Sequence, residues 1–350
     1  MKTPDLEQEV LLTLERVLAD VPWLKGVNAA SKAGSESWGR DLTITLDRPG
    51  GKLTLLVEVK SNGEPRHVRD AVNSVLRRVM ERPNTYAVIA APYVSEGVGS
   101  ICREQGVGYL DLAGNCYISA AGIHIVVTGR PRPPSAPREP RTLFAAKSSR
   151  VLRAMYAFPR KNWRVVELAR EAGVSLGQVA NVKKALEDKE WAMSTKDGLV
   201  LTKPEPLLRA WGTAYGKGRG TTRRFYSMAK VNDIEAAISE LCIAKSIPYA
   251  LSSFSAGQRI APMVRYSVAS AYVLGDIPAI ATELELKEVG AGANVVLTAP
   301  RDDGELMYCQ PVSGFNIVSP VQAYLDLQSN PARGEEAAEA ILEQVIVSRW

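Results

Sequence analysis

Residues 41–60 read DLTITLDRPGGKLTLLVEVK, two alternating stretches at 41–46 and 53–60 joined by a turn containing Pro49, Gly50 and Gly51. These turn formers predict a β-hairpin. Pairing Leu46 with Leu53 places Asp41 directly across from Glu58. Side chains alternate with period two. One face then carries Asp41, Thr43, Thr45, Thr54, Leu56, Glu58 and Lys60. The other carries Leu42, Ile44, Leu46, Leu53, Leu55, Val57 and Val59. A slip of one residue buries the charges, so the pattern itself specifies the register. The apolar face predicts a sheet packed on a core.

The polar face holds candidate chemistry. Opposed carboxylates have Cβ atoms about 5 Å apart. That separation suits one Mg2+, which takes oxygen ligands at about 2.0–2.1 Å and often needs only one or two carboxylates. Asp41 and Glu58 are the candidate metal ligands. With Lys60, which would orient a water or offset charge on a phosphorane, they form the candidate catalytic group. The same residues also suit a solvated face on which Lys60 balances two like charges.

Around the hairpin, spacing predicts a helix over 5–20, a strand near 26–31 and a helix over EPRHVRDAVNSVLRRVMER. A strand at 85–90, a helix at 95–105 and strands at 107–112, 115–119 and 122–128 follow. Glu15 on the first helix is a weaker third acid. Arg66, Arg69, Arg77, Arg78 and Arg82 give the second helix a basic side. Asp111 either caps the turn at Gly114-Asn115 or lies near the metal edge, and the turn is favoured. The order α-β-β-β-α-β, with Asp41 opening the second strand and Glu58-Val59-Lys60 on the third, resembles the PD-(D/E)XK nuclease superfamily. The resemblance implies a restriction-endonuclease-like core over residues 1–128.

Composition bounds the rest. With 350 residues and 46% hydrophobic content, two or three domains are expected. No apolar run reaches membrane-spanning length, and the N-terminus lacks a signal-peptide pattern. Cys102, Cys116, Cys242 and Cys309 are scattered, without zinc spacing or a disulfide framework, so a cytoplasmic setting is expected. Two histidines, His67 and His124, leave little room for mechanisms built on His pairs. The net charge of +5 divides into −1 for residues 1–128, +14 for 129–230 and −8 for 231–350. So basic a middle third is the footprint of a polyanion partner.

Residues 129–147 are Pro-rich and basic, with Arg130, Arg132, Arg138 and Arg141, and read as a linker that can lie along phosphates. Residues 148–230 then present three helical stretches and two short strands around Lys196-Asp197-Gly198. That order predicts a winged helix-turn-helix. Ser175 is the expected N-cap of its third helix. Val179, Val182 and Leu186 face the core, and Gln178, Asn181, Lys183 and Lys184 face solvent as groove readers. Lys196 at the wing tip, with Arg223 and Arg224 in the tail of this segment, adds phosphate contacts.

Residues 231–350 form an acidic α+β segment with a helix near 232–246, strands at 270–274, 294–298 and 306–310, and a final helix at 334–348. Asp233, Asp276, Asp302 and Asp303 form no nucleotidyltransferase signature. SPVQAYLDLQSNPARGEEAAEAILEQ, together with the preceding helix-turn-helix, resembles the AbiEi-type antitoxin and transcriptional regulators of type IV toxin–antitoxin systems, over about residues 148–350. The resemblance implies a winged helix on duplex DNA and a cognate toxin or defence partner. A nuclease-like segment ahead of the winged helix departs from that pattern. The α/β multidomain chain is therefore expected to be a DNA-binding regulator. The alternatives are a Mg2+-dependent endonuclease using Asp41, Glu58 and Lys60, and a protein-docking scaffold.

Overall fold

The computed structural model describes residues 3–19, 21, 27–32, 41–48, 51–80, 82–133, 143–215, 220–262, 265–330 and 333–350. The chain separates into two compact units, Met1–Pro140 with Asp188–Glu190, and Arg141–Glu187 with Trp191–Trp350. Arg138 and Arg141 lie outside the described residues. Both units are mixed α/β.

In the first unit, helix α1 (Thr3–Leu18) precedes β1 (Val27–Lys32), β2 (Asp41–Arg48) and β3 (Gly51–Val59). Helix α2 (Pro65–Val79) leads to β4 (Thr85–Ala91), and α3 (Glu96–Glu104) to β5 (Gly108–Asp111). Strands β6 (Cys116–Ala120) and β7 (Ile123–Val127) close the unit. The seven strands lie in sequence order in one sheet. β1, β2 and β3 are antiparallel neighbours, β3, β4 and β5 run parallel, and β5 to β7 return antiparallel. Parallel neighbours need a crossover, which α2 and α3 supply. The hairpin register is the expected one: Leu46 pairs with Leu53 and Asp41 with Glu58.

Both faces of this sheet are covered. Leu42, Ile44, Leu46, Leu55 and Val57 pack under α1 with Leu6, Val10 and Leu14. The other face, which in the hairpin is the polar one, carries Leu56, Ala87, Ile89 and Ala91 beneath α2 and α3. The parallel strands provide this apolar patch, and two helices bury it. Glu58 is buried there with the patch.

The second unit opens with α4 (Ala146–Ala157), α5 (Val165–Ala172) and α6 (Leu176–Asp188), then the hairpin β8 (Ala192–Thr195) and β9 (Gly198–Leu201), then α7 (Pro204–Tyr215). A three-helix-plus-hairpin order was expected here. Trp163 adds a bridge to Leu199, its N–H donating to the Leu199 carbonyl at 2.8 Å and its carbonyl accepting from the Leu199 N–H at 2.9 Å. Gly198 has φ +137°, and a Cβ there would lie 2.6 Å from the Trp163 carbonyl oxygen, so only glycine lets the hairpin pass.

The remainder is β10 (Thr222–Tyr226), α8 (Val231–Ala244), β11 (Tyr249–Leu251), α9 (Ser253–Ile260), β12 (Ala269–Val273), α10 (Ile277–Glu283), β13 (Lys287–Glu288) and β14 (Val295–Thr298). A 3-10 turn (Asp303–Leu306), β15 (Gln310–Val312), β16 (Phe315–Ile317), α11 (Pro320–Gln328) and α12 (Gly334–Ile341) complete it. The sheet order is β13-β10-β14-β12-β11-β16-β15. The strand expected at 306–310 is instead this 3-10 turn followed by β15. Asp302 accepts from the Gly304 N–H at 2.8 Å and bends the chain there. The final helix ends as an α-helix at Ile341 and continues as a π turn over Leu342–Ile346.

Segments 148–230 and 231–350, expected as successive domains, share one continuous core in this unit. A buried polar network crosses it. Gln322 accepts from Arg153 at 2.6 Å, and its amide donates to Tyr215 at 2.8 Å, Tyr272 at 3.1 Å and Asp326 at 2.7 Å. Arg150 on α4 also binds Asp302 through both carboxylate oxygens, at 2.6 and 2.7 Å. Among the described residues no helix is long and apolar enough to cross a membrane.

Candidate nucleic-acid interface

Helix α6 is built as its sequence requires. Gly173 at the end of α5 adopts a left-handed φ of +62°, the usual C-terminal stop. Two residues on, the Ser175 hydroxyl accepts from the Gln178 N–H at 3.2 Å and caps α6. Val179, Val182 and Leu186 are buried with Leu168 and Ala169. Rotation at 3.6 residues per turn leaves Ser175, Gly177, Ala180, Asn181 and Lys184 exposed on the opposite stripe. Lys183 is half-buried. Gln178 is also half-buried, and its amide donates to the Ser148 hydroxyl of α4 at 2.7 Å. That bond ties α6 to α4, so Gln178 positions the helix, although solvent exposure was expected.

An open groove of about 400 Å3 borders the turn between α5 and α6, lined by Lys147, Arg170, Gly173, Ser175 and Gln178. Lys147 and Arg170 are exposed cations that were not among the residues expected from the sequence. The available signal was their position, one beginning α4 and the other in the last turn of α5. Lys196 is exposed at the hairpin turn, where the Thr195 hydroxyl accepts from the Asp197 N–H at 3.2 Å.

The other selected arginines belong to other elements. Arg223 and Arg224 lie on β10 of the C-terminal sheet, and Arg223 pairs with Glu288. Arg130 is tied to the β5–β6 turn: its N–H donates to Asn115 at 2.8 Å and its guanidinium to the Ala113 carbonyl at 3.1 Å. Arg132 lies over the Tyr93 ring, 5.4 Å from its centroid. Asp111 caps the same turn, accepting from the N–H groups of Asn115 at 2.9 Å and Val94 at 3.1 Å. Burial pushes its carboxyl above the ordinary range, and these donors pull it back.

The hairpin carboxylate is closed by cations. Lys60 Nζ lies 2.7 Å from Glu58, and Arg78 of α2 pairs with the other carboxylate oxygen. Burial raises the Glu58 pKa, while Lys60 opposes the shift. Asp41 faces Glu58 in the backbone register, but its side chain lies outside those described. Among the described residues no three His, Cys, Asp or Glu side chains group as a metal site. Glu58 as arranged already has two cationic partners, so a divalent ion taking it as a ligand would have to displace Arg78.

A buried carboxylate with a raised pKa holds its proton longer in the folded chain than in the unfolded chain. Stability therefore falls as pH rises from the ordinary Glu range through the folded value. Arg78→Ala removes one compensating charge and is expected to cost about 2 kcal/mol near neutral pH, Lys60 remaining in place. The loss should shrink near pH 5, where Glu58 protonates more readily. Urea denaturation at both pH values checks this, and an equal loss at each would contradict it.

Residues 200–347 match the AbiEi_2 family model, described as "Transcriptional regulator, AbiEi antitoxin, Type IV TA system". This part of the chain, from the end of the hairpin to the last turns, is thus similar to transcriptional regulators of antitoxin type. More narrowly, it is similar to AbiEi antitoxins. Searches of curated proteins and of solved structures give no match.

Proposed function

We propose that this protein is a duplex-DNA-binding transcriptional regulator of AbiEi antitoxin type, with α4 to β9 acting as a winged helix-turn-helix. The observation that carries the reading is the exposed stripe of α6. It follows a Ser175-capped turn and lies in the segment of +14 charge. Asn181 suits an adenine edge, and Lys184 a phosphate. Lys183, Lys196, Lys147 and Arg170 supply phosphate contacts, and Gln178 and Ser175 set the helix in place. The family likeness supports the regulatory role and implies a cognate toxin as genetic partner.

The first unit, with its α-β-β-β-α-β order, serves in this reading as a nuclease-like module that holds DNA without cutting it. The pairing of Glu58 with both Lys60 and Arg78 supports that role over Mg2+-dependent cleavage.

Fluorescence anisotropy with the full chain and the duplex upstream of its own gene tests the reading. Specific binding should exceed binding to an unrelated duplex by about 1,000-fold and weaken steeply from 50 to 200 mM salt. Absence of retention at the lower salt would overturn it.

A further inference from the structure

A cavity of about 580 Å3 opens on one face of the C-terminal sheet. Its floor crosses three strands. Thr222 of β10 pairs with Thr298 of β14, and Arg224 with Val296. Thr298 and Val296 in turn pair with Tyr272 and Ser270 of β12. A covered sheet face is ordinarily apolar. This one presents hydroxyls and a guanidinium, while Phe225, Leu297 and Ala271 on the opposite face are buried in the core.

The charge of the cavity runs against its surroundings. Residues 231–350 hold 7 Lys/Arg and 15 Asp/Glu. Carboxylates are abundant there, and Lys245, Arg259, Arg301 and Arg333 each pair with one. Arg265 and Arg224 are exposed on the cavity lining and take no carboxylate partner among the described residues. Arg333 lines it as well. Asp326, the one acid on the wall, accepts from the Tyr272 hydroxyl at 2.7 Å and the Gln322 amide at 2.7 Å. Ser253 and Arg333, both on the lining, have φ of +48° and +52°, strained for side-chain-bearing residues.

We infer that this cavity binds a phosphate-bearing small molecule of nucleotide size. Arg224 and Arg265 meet the phosphates, since guanidinium matches phosphate in a bidentate fork. The threonine and serine hydroxyls take the remaining oxygens, and the Phe254 and Tyr266 rings provide flat apolar walls for a base. The volume falls within the roughly 300–1,000 Å3 range of small-ligand pockets. The site is separate from the α6 stripe and does not depend on the DNA reading.

Titration calorimetry on the full chain, free of DNA, with AMP, ATP and sodium pyrophosphate as probes, tests the inference. At least one probe should bind with a dissociation constant of about 100 µM or tighter. Arg224→Ala with Arg265→Ala should weaken it at least about tenfold, with the thermal midpoint unchanged. Ser267→Glu, which puts an anion on the exposed lining, should act in the same direction. A nucleotide preference identifies nucleotides as the source, whereas equal binding of pyrophosphate identifies the phosphate group alone; either supports the site. Absence of binding by all three probes overturns it, as does binding unchanged in both variants. So does an equal loss of duplex affinity in the double variant with nucleotide competing against duplex, which would place these arginines on the DNA surface.

Discussion

Asn181→Ala is expected to lower preference for the specific duplex about tenfold while leaving salt-sensitive binding to unrelated duplex intact, because an adenine edge read by two hydrogen bonds contributes roughly 1–3 kcal/mol of discrimination. Lys184→Ala should instead weaken binding to all duplexes alike and reduce the log–log salt slope by about 1. Together they should cost about 100-fold in specific affinity at moderate salt. Both residues are exposed, so the folded chain should be undisturbed. Anisotropy against specific and unrelated duplexes over a salt series separates the two effects. Unchanged site preference in Asn181→Ala would remove α6 as the reading helix.

Trp211→Ala is expected to destabilise the second unit by about 3–5 kcal/mol, the range for deleting a large buried aromatic side chain. Trp211 is fully buried, stacks on Phe144 with centroids 6.1 Å apart, and has the Arg153 guanidinium 5.0 Å from its ring centre. It thus joins α7 to α4. Because the helical segment and the C-terminal sheet share one core, the loss should appear as a single shifted transition for both. Urea denaturation followed by circular dichroism checks this, with Leu176→Ala on the exposed stripe as a control expected to stay within about 0.5 kcal/mol. Separate transitions, only one of which moves, would show that the two segments fold independently.

Much of the architecture was legible because it rests on local pattern. The alternation of 41–60 set the hairpin register to the residue, and the 3.6-residue spacing of Val179, Val182 and Leu186 oriented α6. Capping by Ser175 and the stop at Gly173 followed from the chemistry of the residues alone. The C-terminal sheet was harder to read. Its strands are short, several of three residues, and too brief to show periodicity. TTRRFY was accordingly taken as a basic tail, although it forms β10.

Side-chain fate at the candidate sites divides along the same line. By itself the sequence determined which residues alternate, where helices begin and stop, and where positive charge is concentrated, since each depends on neighbours a few positions away. Only the tertiary structure decided that the polar face of the hairpin lies beneath α2 with Arg78 on Glu58, that Gln178 turns in to Ser148, and that Arg224 meets Arg265 around one cavity. Those outcomes depend on contacts between segments tens of residues apart, which no local periodicity encodes.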